Sequence, residues 1–150
     1  MEKAAPAARR GKILVVEDDP SAARFAVYVL GDRGGFDVTH VSDPVVAINR
    51  IEDEPFDMVL ADLDLPRLSG LDVLACVRRV APGVPVVLTT AQAVTALDTH
   101  VAAARADAFL EKPIRPQRLI VVAATLIGSR PRSRHGHRAS KPAGGHDDLR

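Results

Sequence analysis

Apolar residues gather in five short runs, and each run is followed by a stretch in which they recur at every third or fourth position. The runs are Lys12–Val16, 36–41, 57–61, 85–90 and Ala108–Glu111. Short, nearly continuous apolar runs read as strands buried on both faces, and three-to-four spacing reads as amphipathic helix. Helix starts are marked chemically. Asp19-Pro20 and Asp43-Pro44 each place a capping carboxylate before a proline at the first helical position. They predict helices from 20 to about 33, stopped by Gly34-Gly35, and from 44 to about 53. Phe25, Val29 and Leu30 form the inner face of the first, and Val45, Ile48 and Ile51 that of the second. Ser69 with Asp72 three residues on predicts a capping box for a third helix, with Leu71, Leu74 and either Cys76 or Val77 turned inward. A fourth helix is predicted over 93–105 on Val94, Leu97, Val101 and Ala104, and a last one over 116–127 on Leu119, Val122, Ala123 and Leu126.

Five strand–helix units in regular alternation imply right-handed crossovers and a parallel sheet covered on both faces. Four of the runs end in polar groups that could act together. The first ends in Glu17 and Asp18, the third leads into Asp62 and Asp64, the fourth ends in Thr90, and the fifth leads into Lys112. The acidic ends of the first and third strands share a pocket only if those strands are neighbours. The order 2-1-3-4-5 makes them so and puts the pocket at the switch point of the sheet. The fold predicted is α/β: a five-stranded parallel sheet of order 2-1-3-4-5 in a flavodoxin-like three-layer αβα sandwich.

Composition narrows the picture. With 150 residues, 47% apolar and only 3% aromatic, one domain with an aliphatic core is expected. No apolar run is long enough to span a bilayer. Residues 1–11 lack the apolar centre of a signal peptide and read as a flexible arm, so a cytoplasmic location is expected. Cys76 is the single cysteine and lies within a helical pattern, which reads as a small buried hydrophobe. The net charge of +1 is unevenly spread: residues 129–150 carry six Lys/Arg and two Asp, while residues 1–128 carry fourteen Lys/Arg and seventeen Asp/Glu. From 128 to 150 no apolar period survives, and the segment reads as a basic disordered tail. Without aromatic residues or a fold, it offers nucleic acid no more than a non-specific electrostatic contact.

Glu17, Asp18 and Asp62 would place three carboxylates in one small space. Like charges so close stay ionised only if something neutralises them, and a hard divalent cation does so. Lys112 supplies a point charge and Thr90 a hydroxyl. The set suits phosphoryl transfer, which depends on positioning and charge neutralisation.

On these residues the chain resembles the receiver domains of bacterial two-component response regulators, over about residues 12–127. The resemblance is carried by Ile13-Leu-Val-Val-Glu-Asp-Asp-Pro20, Asp62-Leu-Asp-Leu-Pro66 with Gly70, Thr89-Thr-Ala91 and Lys112-Pro113. It implies a phosphorylation-dependent signalling switch of the stand-alone, chemotaxis-regulator-like type, not a turnover enzyme. Asp62 would accept a phosphoryl group from a histidine of a sensor kinase or phosphotransfer protein. Mg²⁺, or Mn²⁺ in its place, would be held by Asp18, Asp62 and the backbone carbonyl of Asp64, with Glu17 acting through water. Thr90 and Ala91 would meet the phosphoryl oxygens, Lys112 would pair with the carboxylate or phosphoryl group, and Phe109 would be the switch aromatic. The Lys112-Pro113 bond is expected to be cis, and Asp64 and Gln92 would tune dephosphorylation. Output would pass to a downstream protein, or a second copy, through the face of the fourth helix, fifth strand and last helix, where Ile120, Val121 and Ile127 add apolar surface. Three residues depart from the commoner pattern: Glu17 stands for Asp, Phe109 for Tyr, and Arg105 for the Gly that usually ends the fourth helix.

Two other readings follow from the same residues. Asp62-Leu-Asp64 is similar to the aspartyl nucleophile motif of haloacid-dehalogenase-type phosphatases, although that motif normally sits on the first strand. A receiver fold can also serve as a docking module that is never phosphorylated.

Overall fold

The computed structural model describes residues 9–97, 101 and 104–130. Five parallel strands, β1 (Lys12–Val16), β2 (Asp37–Val41), β3 (Met58–Asp62), β4 (Val86–Thr90) and β5 (Ala108–Glu111), form one sheet of order β2-β1-β3-β4-β5. β1 pairs with both β2 and β3, setting Val16 beside Ala61, and β3 pairs with β4, setting Asp62 beside Thr89. The last pairing puts Thr90 beside Glu111. The C-terminal ends of β1, β3, β4 and β5 therefore come out along one edge.

Strand alternation divides the core into two layers. Leu14, Val16, Val59, Ala61, Val86 and Leu88 face the side covered by α2 (Pro44–Asp53) and α3 (Gly70–Val80). Ile13, Val15, Met58, Leu60, Val87 and Leu110 face the side covered by α1 (Pro20–Val27) and the last helix, α4 (Pro116–Gly128). The three central strands β1, β3 and β4 are thus buried on both faces, which is why they are nearly continuous in apolar residues, whereas the edge strand β2 has no fully buried residue. Each fully buried Val or Leu contributes about 1.5–3 kcal/mol relative to exposure.

The caps follow the sequence closely. Asp19 accepts from the Ala22 amide at 2.9 Å, and Asp43 from the Val45 amide at 2.8 Å. Ser69 and Asp72 form a reciprocal box, with the Ser69 amide donating to Asp72 Oδ2 at 2.8 Å. Ser69→Ala is expected to lower stability by about 1 kcal/mol, read from the urea midpoint, because it orphans the α3 donors.

Several features depart from the sequence pattern. The first helix changes hydrogen-bonding at Tyr28 and finishes as a π-helical segment, Tyr28–Arg33. On α2 the buried positions are Pro44, Ala47 and Ile51, while Val45 is 43% exposed; on α3 Val73 is buried, whereas Leu71 is only half-buried. The pattern favoured large side chains, but helix rotation buries the small Ala47 against the sheet. On α4 only Leu119 and Ala123 are fully buried, and Val122 and Leu126 are partly covered. Of the helix expected over 93–105, the described residues show a 3₁₀ turn, Val94–Ala96, with Val94 exposed; residues 98–100, 102 and 103 lie outside the described residues. Arg105 takes the left-handed backbone, φ 55°, that glycine adopts more readily, and its carbonyl accepts from Arg78 at 3.2 Å.

The folded unit also begins before β1. The Arg10 amide donates to the Gly35 carbonyl at 3.1 Å, and the Arg10 guanidinium lies 5.0 Å from the centre of the Phe36 ring. Residues 1–8 and 131–150, most of the predicted arm and tail, lie outside the described residues.

Candidate functional site

Asp62 ends β3 and is 7% exposed. Its two oxygens have different partners. Oδ2 accepts from Lys112 Nζ at 2.6 Å, and Oδ1 accepts from the Asp64 backbone amide at 2.9 Å. Lys112 follows β5 and its side chain reaches across β4 to β3; its amide donates to the Thr90 carbonyl at 2.7 Å, and the Lys112-Pro113 bond is cis. The same ammonium donates to Glu17 Oε2 at 3.1 Å, and Glu17 Oε1 accepts from the Asp19 amide at 3.1 Å. Lys112 therefore bridges the ends of β1 and β3.

Glu17, Asp18 and Asp62 each present a carboxylate oxygen within 4.8 Å of the others. Glu17 and Asp62 are buried and Asp18 is exposed. The electrostatics follow the geometry. Burial, then the charge of Asp62, pushes the Glu17 carboxyl above its ordinary value, against the hydrogen bond from Lys112. Burial works to lower the Lys112 value, but hydrogen bonds and charge from Asp62 and Glu17 outweigh it and hold the ammonium more tightly protonated. The pocket is thus one half-buried cation shared by two buried carboxylates, with a third, exposed carboxylate beside them. Burial also pushes the Cys76 thiol up, which suits a packing residue.

The structure gathers Glu17, Asp18, Asp62 and Lys112, but it gives Thr90 a different place. Thr90 is fully buried, and its Oγ1 accepts from the Gln92 amide at 3.0 Å. It follows Leu88 in the strand alternation and so points to the α2–α3 side. Its neighbour Thr89 lines the cavity beside Asp62 and Lys112. Ala91 and Gln92 are exposed, and Phe109 is half-buried against the α2–α3 core. Asp64 is exposed and meets Asp62 through its amide.

Two contributions were not read from the sequence. Glu17 touches Lys112 directly, since its side chain is one methylene longer than aspartate's. Glu111 accepts from the Val94 amide at 2.6 Å and so ties the segment after Thr90 to β5. An acidic residue just before Lys112 is the only sequence signal for that contact.

The model of the response regulator receiver domain matches residues 13–124. The chain belongs to the response regulator receiver domain family. Among curated relatives of this receiver domain, the DNA-binding response regulator MtrA of Mycolicibacterium smegmatis is 39% identical over 112 residues, covering 74% of this chain and 48% of that protein. The response regulator receiver protein CpdR of Brucella abortus is 30% identical over 109 residues, covering 73% of this chain and 90% of that protein. The chain thus spans about half the length of MtrA and most of CpdR. The receiver domain of the sensor histidine kinase PA1611 from Pseudomonas aeruginosa PAO1, solved with a magnesium ion coordinated in its active-site cleft, superposes with a TM-score of 0.72 at 30% identity, covering 79% of this chain and 98% of that one. A CheY-like receiver domain protein from Methanospirillum hungatei superposes equally well at 26% identity, covering 79% of this chain and 94% of that one. Among the described residues no helix is long and apolar enough to cross a membrane.

Proposed function

We propose that this receiver domain is a phosphorylation-controlled switch in which Asp62 accepts a phosphoryl group from a phosphohistidine of a sensor kinase or phosphotransfer protein. The observation that carries the reading is the buried Asp62 carboxylate at the end of the central strand, held by Lys112 beside Glu17 and Asp18. In the transfer an Asp62 oxygen forms a bond to phosphorus as the donor's P–N bond breaks, and the imidazole leaves with its electron pair. Lys112 is placed to hold the unattacking oxygen or an incoming phosphoryl oxygen.

The donor set fits Mg²⁺, a hard cation that prefers carboxylate and carbonyl oxygens. Asp18, Asp62 and the Asp64 carbonyl would hold it, with Glu17 reaching it directly or through water, and Mn²⁺ would serve in its place. When bound, the ion supplies positive charge that offsets the three carboxylates and the incoming phosphoryl group.

Thr90 would leave its bond to Gln92 when a phosphoryl oxygen becomes available, and the segment after it would move with Phe109 following. Signalling is then a shift between two populations of that surface. Asp64 and Gln92, exposed beside the pocket, would govern access of the hydrolytic water. The domain turns over no external substrate, acts in the cytoplasm, and hands its signal to a downstream protein or a second copy. The proposed output face includes β5 and α4, where Val121 is 51% exposed.

Acetyl phosphate with Mg²⁺, followed by intact mass, tests the reading. A phosphoryl-sized increase is expected, and Asp62→Ala should abolish it. An unmodified wild-type mass under conditions where Mg²⁺ binds would leave a docking module in its place.

A further inference from the structure

The segment that follows β4 is held from two neighbouring strands. Thr90 Oγ1 accepts from the Gln92 amide at 3.0 Å, and Glu111 Oε1, at the end of β5, accepts from the Val94 amide at 2.6 Å. Thr90 and Glu111 are register partners, so the two acceptors stand side by side at the edge of the sheet. Strand alternation turns Glu111 to the same face as Phe109 and Thr90. The bond to Val94 is short and has a charged acceptor, which places it in the stronger class of hydrogen bond. The far end of the same connection is fixed separately. Arg78 donates to the Arg105 carbonyl at 3.2 Å and to Asp107 at 2.9 Å.

The sheet order gives this contact a direction. β4 lies between β3 and β5, so Asp62 stands on one side of the segment and Glu111 on the other. Movement of the segment toward Asp62 is movement away from Glu111. A hydrogen bond is lost by about 3.6 Å, so a shift of about 1 Å toward β3 ends the bond to Val94. Glu111 thus favours the arrangement in which Thr90 is bonded to Gln92. It opposes the one in which Thr90 turns to a phosphoryl group on Asp62. The released carboxylate has cations nearby: Arg115 and Arg118 line the same surface depression, about 290 Å³ in volume, as Glu111, Val94 and Phe109.

We infer that Glu111 is a latch on the resting state, and that its bond to the Val94 amide sets how readily the domain adopts its phosphorylated form. Glu111 bonds neither Asp62 nor Lys112. It is a positioning residue that acts through the segment bearing the Gln92 amide, the partner that Thr90 must leave. A ligand that selects the active form binds with an apparent affinity scaled by the fraction of molecules already in that form. Weakening the latch raises that fraction and tightens the ligand by the same factor. The inference rests on the proposed switch at Asp62 and adds what holds the switch back.

The test titrates the full chain, in saturating Mg²⁺, with beryllofluoride as phosphoryl mimic, and follows backbone amides by NMR. Glu111→Ala should bind beryllofluoride about three- to tenfold more tightly than the wild type, the range set by one lost hydrogen bond. Glu111→Gln keeps an acceptor without its charge and should fall between them. Before beryllofluoride is added, the Val94 amide proton should move upfield in the same order, which reports the weakened bond directly. Arg78→Ala frees the far end of the connection, and it should lose stability but leave the affinity unchanged. Unchanged or weaker affinity in Glu111→Ala would overturn the latch. So would a Val94 amide that ignores the substitution, or an equal gain in Arg78→Ala, which would mark general loosening. A wild type that binds Mg²⁺ but not beryllofluoride would sink the switch itself, and the latch with it.

Discussion

Lys112→Ala should slow phosphoryl incorporation from acetyl phosphate by roughly 10²–10³-fold, the usual effect of removing one preorganised charge-stabilising donor. Lys112 is the only ammonium within salt-bridge distance of the two buried carboxylates among the described residues, at 2.6 Å from Asp62 and 3.1 Å from Glu17. Its removal also has a structural signature. Glu17 and Asp62 then face each other with no cation, and burial already pushes the Glu17 carboxyl up. Unfolding in urea without divalent ions should therefore come earlier, by about 1–3 kcal/mol for the stranded charges. Added Mg²⁺ should restore more stability to the variant than to the wild type, because binding to the folded state alone stabilises it by mass action. Equal urea midpoints for variant and wild type, with and without Mg²⁺, would show that the ammonium is not what balances this pocket. Lys112→Arg keeps the charge but brings a planar fork in place of a point donor, so it should recover stability better than rate.

Gly70→Ala has the next largest expected effect, although residue 70 bears no chemistry. A Cβ there would lie 2.6 Å from the carbonyl oxygen of Asp62, 3.0 Å from Leu63 Cα and 3.1 Å from the Asp62 carbonyl carbon. All three are backbone atoms at the end of the strand that carries Asp62, and none can rotate away. The first turn of α3 is bound to that strand by the Gly70 amide, which donates to the Leu63 carbonyl at 3.1 Å. The added methyl must push α3 off or displace Asp62. A loss of about 1–3 kcal/mol is expected, as for other overpacked sites. A fall in phosphorylation rate should accompany it, checked by thermal denaturation and intact mass. Gly83→Ala is the control, since a Cβ there meets nothing within 4 Å. Similar losses at both positions would show that helix propensity or general fragility, and not the approach to Asp62, sets the cost.

Much of the site was legible in the sequence because its parts sit at strand ends. Apolar runs that stop at Glu17-Asp18, Asp62, Thr90 and Lys112 mark where each strand leaves the core, and the parallel order brings those ends together. The same logic left particulars open. Thr89 and Thr90 are adjacent, and an apolar run buried on both faces carries no alternation to say which hydroxyl looks toward Asp62. The structure puts Thr89 on the cavity wall and leaves Thr90 bonded to Gln92. On α2, hydrophobicity pointed to Val45, but the helix rotates so that Ala47 meets the sheet.

By itself the sequence determined the strands, most helices and their starts, because caps, prolines and apolar spacing act over a few residues. It also determined the strand order, once the acidic ends were required to meet, and with that the family. The tertiary structure alone decided that Lys112 bridges Glu17 and Asp62, partners 95 and 50 residues away. It decided that Gly70 lies against the carbonyl of Asp62, and that Glu111 holds the Val94 amide. These depend on side-chain reach and on the rotation of packed helices, which are fixed only when sheet register and packing are solved together.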